Sequence, residues 1–464
     1  MDMQAFIMAY IWRKTIFRLF LSFTIITCIA WVYFSLTGLP HLETKRSGPS
    51  SKVLSATKLT EVKADGEIKP SSKTLSTTKL IEVKADGEIK RRTAYMRSIC
   101  NTDVAKRYSN NFWSSLVKKD IYTYTPRERF TSKDVCFCKI PKSGSTFWGR
   151  ALYMISHPDL ADEIERFSGL EVHGTLFNQR AIPCTDFMIN NSQSFMVTRN
   201  PWTRLYSAYI DKIYLVKYAE LTESLLKTED GLPDNKIIAE NDCQSRIVSF
   251  ECILKQVISW ASSRENTLDS HFAPVSLLCD PCHYDYAFFI KQERLEQETN
   301  MAMDLFEIPG SLRSRLDMTQ KKNYIQATVP NLVKTTMSIF ESNNHSCLSK
   351  NDMYRRIWNV LQINGHVSVD LAFPHQVFDN QESFVVIANA LTDYVLENRI
   401  ESDAAEKQRN KFFEKAYAQV SLDVLRDVQR IFELDFLLFG YRVTPPGFKE
   451  DDHMFKDATA LTYT

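Results

Sequence analysis

Hydrophobic and β-branched residues form three short runs in the middle of the chain: Asp134–Ile140, Ser194–Thr198 and Tyr284–Lys291. Runs of this length and composition predict buried strands. The first two each lead into a turn and then into a segment whose apolar residues recur at helical spacing. Because strands and helices alternate from residue 134 to residue 293, we expect an α/β fold with three layers and a central parallel sheet.

The turn after the first predicted strand carries groups that suit a bound anion. Pro141 ends the strand, Gly144 permits a tight turn, and Ser145 and Thr146 place hydroxyls at the start of a helix. Lys142 is the cation within the turn, where it could neutralise charge on a leaving phosphate oxygen. The same residues also fit an ordinary strand-to-helix turn with a Ser/Thr cap. The Walker A pattern does not occur in the sequence, which argues against a P-loop ATPase or kinase.

The turn after the second predicted strand has a related character. Arg199 follows the strand, Pro201 suits the first turn of a helix, and Ser207 lies two turns along. An arginine fork and a hydroxyl can together hold a terminal phosphate, although Arg199 could equally pair with a surface carboxylate. Two anion sites in one domain predict a ligand with phosphates at both ends, which is the form of a nucleotide sulfonate donor.

The two segments together resemble motifs of the Golgi carbohydrate sulfotransferases, in particular the chondroitin/dermatan 4-O- and HNK-1-type family. The P-K-x-x-x-T-x-W motif is matched by Pro141–Trp148, and R-x-P-x-x-R-L-x-S-A-Y is matched by Arg199–Tyr209. The H-W-x-P…L-C-x-P-C element is similar to His271–Cys282, and D-F-x-x-F-x-Y is similar to Asp435–Tyr441. The resemblance covers roughly residues 100–441.

The resemblance implies a sulfotransferase-type, P-loop-like domain that transfers sulfonate from PAPS (3′-phosphoadenosine 5′-phosphosulfate) to a glycan hydroxyl without a metal. It implies that Arg199 and Ser207 bind the 3′-phosphate of PAPS and that the first turn binds the 5′-phosphosulfate. The implied residues of that turn are Pro141, Lys142, Ser143, Gly144, Ser145, Thr146 and Phe147. Chondroitin- or dermatan-type chains, or related chains with N-acetylgalactosamine and glucuronate, are the implied acceptors.

This chain departs from the family pattern at two places. Gly144-Ser145 stands where many members have Ala-Cys, and Phe272 replaces a tryptophan. The segment from about residue 329 to residue 410 matches no motif of the family.

Transfer to a hydroxyl requires a base, and histidine is the usual side chain near neutral pH. His173 is predicted to end the strand that follows the first helix, which is where related glycan sulfotransferases carry a base. His271, within the H-F-A-P element, is the alternative. Each could also be a structural histidine whose ring is hydrogen-bonded in the core.

Two other functions share parts of this pattern. A Golgi glycosyltransferase would have the same layout, but most metal-dependent ones hold a nucleotide-sugar with a D-x-D motif, which is absent from the sequence. The other is a catalytically inactive, membrane-anchored glycan-binding protein on the same fold. Intact Lys142, Arg199 and Ser207 favour an enzyme over that alternative.

The composition supports a folded core but no general attraction for acidic ligands. Of the 464 residues, 44% are hydrophobic and 12% aromatic, which suffices for one large domain with appendages. The formal net charge is +1, so no overall field draws anions, and we expect no nucleic-acid partner.

The N-terminus has the features of a membrane anchor. Residues 19–40 carry no charge, and their first 18 positions would span about 27 Å as a helix. Arg13, Lys14 and Arg18 precede them and should keep residues 1–18 in the cytosol. We therefore expect a single-pass type II protein of the Golgi membrane with a lumenal catalytic domain. A cleaved signal peptide is the alternative, but no clear A-x-A cleavage site follows the apolar run.

A repeat separates the predicted anchor from the predicted catalytic domain. Residues 49–69 recur almost unchanged as residues 70–90, and their polar composition predicts a flexible lumenal stem over residues 41–95. The catalytic domain is predicted over residues 96–445, with residues 446–464 as a C-terminal tail.

Cysteines and sequons agree with a lumenal location. Nine of the ten cysteines follow the apolar segment, which suits an oxidising compartment with disulfides. Cys279 and Cys282 form a C-x-x-C pair, but no second pair completes a zinc site, so disulfides are the favoured interpretation. Asn190 and Asn344 head sequons for N-glycosylation.

Overall fold

A computed structural model describes residues 77–109, 121–124, 134–164, 167, 169–180, 182–226, 247–262, 268–308, 310–321, 324–343, 348–379 and 383–449. The predicted cytosolic tail, membrane anchor and first repeat copy, together with Asn344, lie outside these residues, as does the predicted C-terminal tail beyond residue 449. Among the described helices, none combines the length and the apolar character needed to cross a membrane.

A five-stranded sheet lies at the centre of the described structure, in the order β3-β1-β2-β4-β5. The strands are β1 Ile121–Tyr124, β2 Val135–Cys138, β3 Ile182–Pro183, β4 Gln193–Thr198 and β5 Phe288–Lys291. β2, β4 and β5 are parallel, as predicted, but β1 pairs antiparallel with both β2 and β3. The α/β fold is therefore confirmed, and the sheet is mixed rather than wholly parallel.

Side chains alternate between the two faces of the sheet, and both faces are covered. Phe137, Phe195 and Phe288 share one face, where the ring centroids of Phe195 and Trp148 lie 4.9 Å apart. Met196 points to the opposite face with the cysteines of β2 and belongs to a second buried cluster. Helices therefore pack on both sides of the sheet, as expected of a three-layer arrangement.

The helices fall into three stretches of the chain. Before β4 they are Thr77–Cys100, Asp103–Ser109, Ser145–Ser156, Ala161–Ile164, Gly169–Glu171 and Asp186–Asn191, with a 3-10 turn at Pro158–Leu160 and a π-helical segment at Val172–Arg180. Between β4 and β5 they are Pro201–Ala208, the π-helical Tyr209–Tyr214, Ala219–Leu226, Phe250–Ser262 and Val275–Cys279. After β5 they are the 3-10 turn Gln292–Arg294, then Leu295–Leu305, Gly310–Lys321, Tyr324–Ser342, Lys350–Ile363, His375–Phe378, Phe384–Glu397, Ser402–Ala418, Leu422–Ile431 and Glu433–Phe439.

The predicted boundary between stem and catalytic domain lies inside a helix. Helix Thr77–Cys100 begins within the second repeat copy and buries Ile89, Thr93 and Met96, which recur at helical spacing. Arg92 on the same helix pairs with Glu298 at 2.9 Å. The folded unit therefore begins before residue 96, because tertiary burial stabilises a segment whose own composition is polar.

The histidine predicted at the end of a strand lies instead in a helical segment. His173 belongs to the π-helical Val172–Arg180, directly after the short helix Gly169–Glu171. Val172 and Leu176, four residues apart, are both fully buried on the face that meets helix Ser145–Ser156. This spacing favours a helix over the short strand that the local β-branched residue suggested.

The third predicted strand is shorter than expected. Only Phe288–Lys291 pairs with β4, while the residues before it form turns after helix Val275–Cys279. Asp280 ends that helix with a left-handed backbone (φ 48°), and the Tyr286 hydroxyl donates to the carbonyl of Cys279 at 2.8 Å. These local bonds form turns over residues 281–286, and the Ala287 amide then donates to the Ser194 carbonyl of β4 at 2.9 Å.

Three disulfides join the elements around β2, and they confirm the interpretation of the C-x-x-C pair. Cys279 is bonded to Cys138 and Cys282 is bonded to Cys100. The third bond joins Cys136 to Cys184. Two of the three therefore anchor the C-x-x-C element, one to the strand that leads into the anion-binding turn and one to the end of helix Thr77–Cys100.

Candidate active site

The turn after β2 has the geometry of an anion site. Lys142 and Gly144 both adopt left-handed backbone conformations, with φ of 66° and 78°. Helix Ser145–Ser156 begins directly after the turn, and the Trp148 N–H donates to the Gly144 carbonyl at 3.1 Å. The backbone N–H groups before Trp148, in the first turn of the helix, have no carbonyl within the helix to bond to. They therefore face the space beyond the helix end.

Gly144 is required mainly by its left-handed backbone conformation. A Cβ at this position would lie 2.7 Å from Oε1 of Gln292, an atom that is buried and has no hydrogen-bond partner among the described residues. Ser143 is buried beneath the turn, and its hydroxyl likewise has no partner in the described structure. A larger residue at 144 would strain the left-handed turn and would require the end of the Gln292 side chain to move.

Arg199 links the two predicted anion sites. Its Nη1 donates to the carbonyl of Lys142 at 3.0 Å, and its Nε donates to Thr203 Oγ1 at 3.2 Å. Helix Pro201–Ala208 follows, capped by the Asn200 side chain, and Pro201 occupies its first turn as predicted. The guanidinium therefore supports the left-handed turn while it faces the same cavity as Ser207.

Asp211 is surrounded by three lysines. Its carboxylate lies 3.0 Å from Lys142 Nζ, 2.7 Å from Lys217 Nζ and 3.5 Å from Lys212 Nζ. Burial disfavours the charged carboxylate, but the three ammonium groups outweigh it and hold the pKa of Asp211 well below its ordinary value. Burial is also the main reason that the pKa of Lys142 is lowered, and Asp211 opposes that effect. Asp211 is therefore a fixed negative charge in an otherwise positive site.

A cavity of about 490 Å³ brings the predicted site residues together. Its lining includes Pro141, Lys142, Gly144, Ser145, Thr146, His173, Arg199, Ser207 and His271. The predicted residues Ser143 and Phe147 are not in this lining, because Ser143 lies under the turn and Phe147 packs edge-on against Trp148, with ring centroids 5.6 Å apart. An adjoining cavity of about 320 Å³ shares Lys142, Arg199 and Ser207 and extends to Arg409 and Phe413.

The two histidines differ in their partners. His173 Nε2 lies 3.1 Å from Thr146 Oγ1 in the anion-binding turn. Burial, together with the nearby cations Lys139 and Lys212, lowers the pKa of His173 to about 3. His271 Nδ1 lies 3.1 Å from Asp269 Oδ1, and burial lowers the pKa of His271 although Asp269 opposes the shift. Both shifts favour the neutral ring.

The C-terminal motif supports the site without lining the cavity. Asp435 accepts hydrogen bonds from the amides of Val275 and Ser276 at 2.6 and 2.8 Å, and so caps the helix that follows the H-F-A-P element. The Tyr441 hydroxyl lies 3.0 Å from Thr198 Oγ1, at the end of the strand that leads to Arg199. The D-F-x-x-F-x-Y motif therefore positions the two segments that carry His271 and Arg199.

Arg204 of the second motif is a buried tie between segments. Its guanidinium donates to the carbonyls of Pro141 (3.5 Å), His271 (3.3 Å) and Ala273. Burial lowers the pKa of Arg204 to about 10, so it remains charged at neutral pH. Its role is to hold the anion-binding turn beside the H-F-A-P element.

Several residues of the cavity were not predicted from the sequence. Asp211 follows Ser207 by four residues, so helical spacing could have placed both on one face. Lys217 carries no comparable local signal, and neither does Asp269, which contacts His271 but does not line the cavity. Asn331 comes from helix Tyr324–Ser342, within the segment that resembles no motif, and its Oδ1 accepts the Gly169 amide at 2.9 Å. Only the tertiary fold brings it to the cavity.

Asn190 is accessible, as a glycosylation site requires. It lies in helix Asp186–Asn191 with an exposed side chain, and its Oδ1 accepts the Asp285 amide at 3.1 Å. Its modification remains a prediction.

Comparison with known proteins agrees with these motifs. Residues 129–359 match a family described as "Sulfotransferase family". Carbohydrate sulfotransferase 11 of Mus musculus is 25% identical over 189 residues, which are 39% of this chain and 52% of that protein. Carbohydrate sulfotransferase 9 of Homo sapiens is 26% identical over 189 residues, 39% of this chain and 40% of that protein. Carbohydrate sulfotransferase 14 of Danio rerio is 25% identical over 186 residues, 38% of this chain and 47% of that protein.

The chain thus spans about half the length of the curated relatives it matches. The comparison with solved structures finds no match. Lys142, His173, Arg199, Ser207 and His271 all lie within the region that matches the family.

Proposed function

The chain belongs to the sulfotransferase family, and from this we propose that it transfers a sulfonate group from PAPS to a hydroxyl of a carbohydrate chain. One observation carries the proposal: a single cavity contains both the Lys142 turn at a helix N-terminus and the Arg199–Ser207 pair. A donor with a phosphosulfate at one end and a phosphate at the other has the charge distribution that such a cavity would bind.

The charge of the cavity supports a polyanionic donor. Its lining has five cationic side chains and one carboxylate, Asp211. The cations are Lys139, Lys142, Arg199, Lys212 and Lys217. A phosphate monoester alone carries about −1.5 to −2 at neutral pH, so PAPS would largely balance this excess. An uncharged sugar ligand would leave it unbalanced.

Each part of the site has a proposed role in transfer. Backbone amides of the Ser145 turn, with Lys142, would bind the 5′-phosphosulfate, and Arg199 with Ser207 would bind the 3′-phosphate. As the S–O bond breaks, charge develops on the phosphate oxygen, and the Lys142 ammonium would stabilise it. One of the two cavity histidines, His173 or His271, would accept the proton of the attacking hydroxyl.

The acceptor is proposed from the relatives and from the family motifs. The named relatives are carbohydrate sulfotransferases, so we propose a glycan, with chondroitin- or dermatan-type chains as the first choice. We also propose that the protein is a single-pass type II protein of the Golgi membrane, because residues 19–40 follow a basic N-terminus. A shift in apparent mass on deglycosylation that Asn190→Gln reduces would support lumenal exposure.

The direct test supplies the full-length protein in detergent with labelled PAPS and a panel of desulfated glycans. The expected result is label transfer to at least one glycan, unchanged by EDTA. Activity that requires a metal and a nucleotide-sugar would instead support a glycosyltransferase. Binding of PAPS with no transfer to any glycan in the panel would support the inactive binding protein.

A further inference from the structure

His271 is held on one side by a carboxylate and a phenol. Its backbone N–H donates to Asp269 Oδ1 at 2.9 Å, and its ring Nδ1 lies 3.1 Å from the same oxygen. The Tyr218 hydroxyl lies 2.8 Å from Nδ1 and donates to Asp269 Oδ2 at 3.2 Å. The pKa of Asp269 is lowered because hydrogen bonds and charge from His271 outweigh the effect of burial. An ionised carboxylate can only accept, so the network assigns the ring proton to Nδ1.

This arrangement leaves Nε2 as the basic nitrogen. His271 lines the cavity that also contains Lys142, and its Nε2 makes no hydrogen bond with any residue in the described ranges. A neutral imidazole with Nε2 open and a carboxylate behind Nδ1 is the geometry of a general base that a third group orients.

His173 has a different environment. Its Nε2 is already beside Thr146 Oγ1, in the turn proposed to bind the phosphosulfate. After burial, the charges that lower its pKa most are those of Lys139 and Lys212. A histidine in this position can orient the Thr146 hydroxyl toward a bound donor, which is a positioning role.

We propose that His271 is the catalytic base of this protein and that Asp269 and Tyr218 are positioning residues that hold its ring in the reactive tautomer. The inference rests on the proposed sulfonate transfer. In that step the acceptor oxygen forms a bond to sulfur while the bond from sulfur to the 5′-phosphate oxygen breaks. The electron pair of the broken bond leaves with adenosine 3′,5′-bisphosphate, and the hydroxyl proton moves to His271 Nε2. Asp269 then faces the imidazolium and stabilises it.

The charged groups around His271 determine how the activity should depend on pH. Asp269 and Tyr218 contact its ring, Lys212 and Lys142 act on it as cations, and His173 lies near enough for the two rings to affect each other. Asp269 raises the pKa of His271 against the effect of burial. Asp269→Asn should therefore lower the pKa of His271 further and move the acid limb of the activity profile to lower pH.

The test measures kcat at saturating donor and the dissociation constant of adenosine 3′,5′-bisphosphate for three variants of the full-length protein. His271→Gln should lower kcat about 10²–10⁴-fold and retain binding of the bisphosphate. Asp269→Asn should lower kcat by at least about tenfold and shift the acid limb to lower pH than in the wild type. His173→Gln should mainly weaken binding of the bisphosphate, because its partner is Thr146.

Matched controls are available on the surface of the described structure. His375 and Asp427 are outside the cavity lining, and His375→Gln and Asp427→Asn should leave kcat, bisphosphate binding and the pH profile unchanged. If His271→Gln does not fold, Asp269→Asn carries the test, because asparagine keeps the size of the side chain and an oxygen for the backbone N–H of His271.

Two results would overturn the inference. One is an unchanged kcat in His271→Gln or Asp269→Asn. The other is loss of turnover in both histidine variants together with an unshifted acid limb in Asp269→Asn. Loss of turnover in both histidine variants, together with an acid limb shifted to lower pH in Asp269→Asn, would support the inference. Failure of the wild type to bind the bisphosphate or to transfer label would instead reject the proposed function. Because the same assays are run on the wild type, this failure is distinguished from failure of the inference about His271.

Discussion

Lys142 is held in a left-handed conformation by contacts at both ends of the residue. Its carbonyl accepts from Arg199, and its ammonium pairs with Asp211. A non-glycine residue in this conformation costs roughly 1–2 kcal/mol, which these two charged contacts can offset. The conformation directs the Lys142 side chain into the cavity, so the position of the proposed catalytic cation depends on Arg199, before helix Pro201–Ala208, and on Asp211, in the π-helical Tyr209–Tyr214.

Substitution of the two cations should separate turnover from binding. Lys142→Ala should lower kcat about 10²–10³-fold while some donor affinity remains, since its charge matters most as the S–O bond breaks. Arg199→Ala should mainly weaken donor binding, by about ten- to a hundredfold for a lost charge-assisted contact worth roughly 1.5–3 kcal/mol. Steady-state kinetics and isothermal titration with adenosine 3′,5′-bisphosphate would measure both. An unchanged dissociation constant in Arg199→Ala would remove the 3′-phosphate assignment.

Asp211→Asn should destabilise the protein at neutral pH. The pKa of Asp211 is lower in the folded state than the ordinary value of 3.8, so its stabilisation is present above about pH 4 and is lost as pH falls through the folded-state pKa. We expect the variant to lose roughly 1.5–3 kcal/mol at pH 7, because three ammonium groups lose their shared partner. Chemical denaturation at pH 7 and at pH 3 would test this, and a difference between wild type and variant that did not shrink at pH 3 would contradict it.

At the scale of elements, helix Thr77–Cys100 is part of the folded unit rather than of a stem. It packs against β5 and is bonded to the C-x-x-C element through Cys100–Cys282. Arg92 also pairs with Glu298, whose Oε2 accepts the amide of Lys291 at 2.9 Å. The helix therefore supports β5, the edge strand of the sheet. β5 pairs with β4, which is the strand that ends near the site.

Two truncations should distinguish the predicted boundary from the observed one. A chain that begins at residue 77 keeps the helix and should retain the unfolding temperature of the full-length protein. A chain that begins at residue 96 loses the burial of Ile89 and Thr93 and the Arg92–Glu298 pair, and it should unfold several degrees lower or fail to fold. Calorimetry would compare them, and equal unfolding temperatures would restore residue 96 as the start of the domain.

The disulfide Cys138–Cys279 joins the strand before the anion-binding turn to the segment after His271. It closes a loop with a sequence separation of 141 residues, for which chain entropy predicts a contribution of about 2–5 kcal/mol. The double variant Cys138→Ser/Cys279→Ser should lose that stability in denaturant titration. Addition of a reductant to both proteins, which also reduces the other two disulfides in each, should abolish the difference, and a persisting difference would point to lost packing instead.

At the scale of the whole molecule, the net charge is small, but positive charge is concentrated in the cavity. The net charge of the chain is +1, yet the cavity lining has five cations and one carboxylate. Helices from the far end of the sequence contribute to its walls: Asn331 lines this cavity, and Arg409 lines the adjoining cavity that shares Lys142 and Arg199. The anion site therefore depends on segments that are separated by more than 200 residues along the chain.

Donor affinity should fall as salt is raised, and it should fall less in a variant with fewer cavity cations. Between about 0.05 and 0.5 M salt the Debye length drops from over ten to a few ångströms, which screens the partly open cavity. We expect Lys217→Gln to show a smaller slope of log Kd against log salt concentration. Lys350→Gln removes an exposed cation outside the cavity and should keep the wild-type slope. Equal slopes in all three proteins would show that the cavity lysines do not contact the donor.

Local patterns in the sequence determined the features that depend on neighbouring residues. The β-branched runs predicted β2 and β4 because strand propensity and burial act within a few residues, and Pro201 indicated the helix start because its ring sets one backbone angle. The motifs also predicted many of the residues that share the cavity, although not Asp211 or Asn331, since strand–turn–helix units place their turns at one edge of a parallel sheet.

Only the tertiary structure decided the features that depend on distant contacts. β1 pairs antiparallel, His173 lies in a helix, and the helix from Thr77 joins the fold, because each is stabilised by burial against segments far along the chain. Tyr218, one of the groups that distinguish His271 from His173, is likewise distant in the sequence. Tyr218 lies 53 residues from His271 in the sequence. It can orient the His271 ring only because the fold brings the two side chains within hydrogen-bond distance.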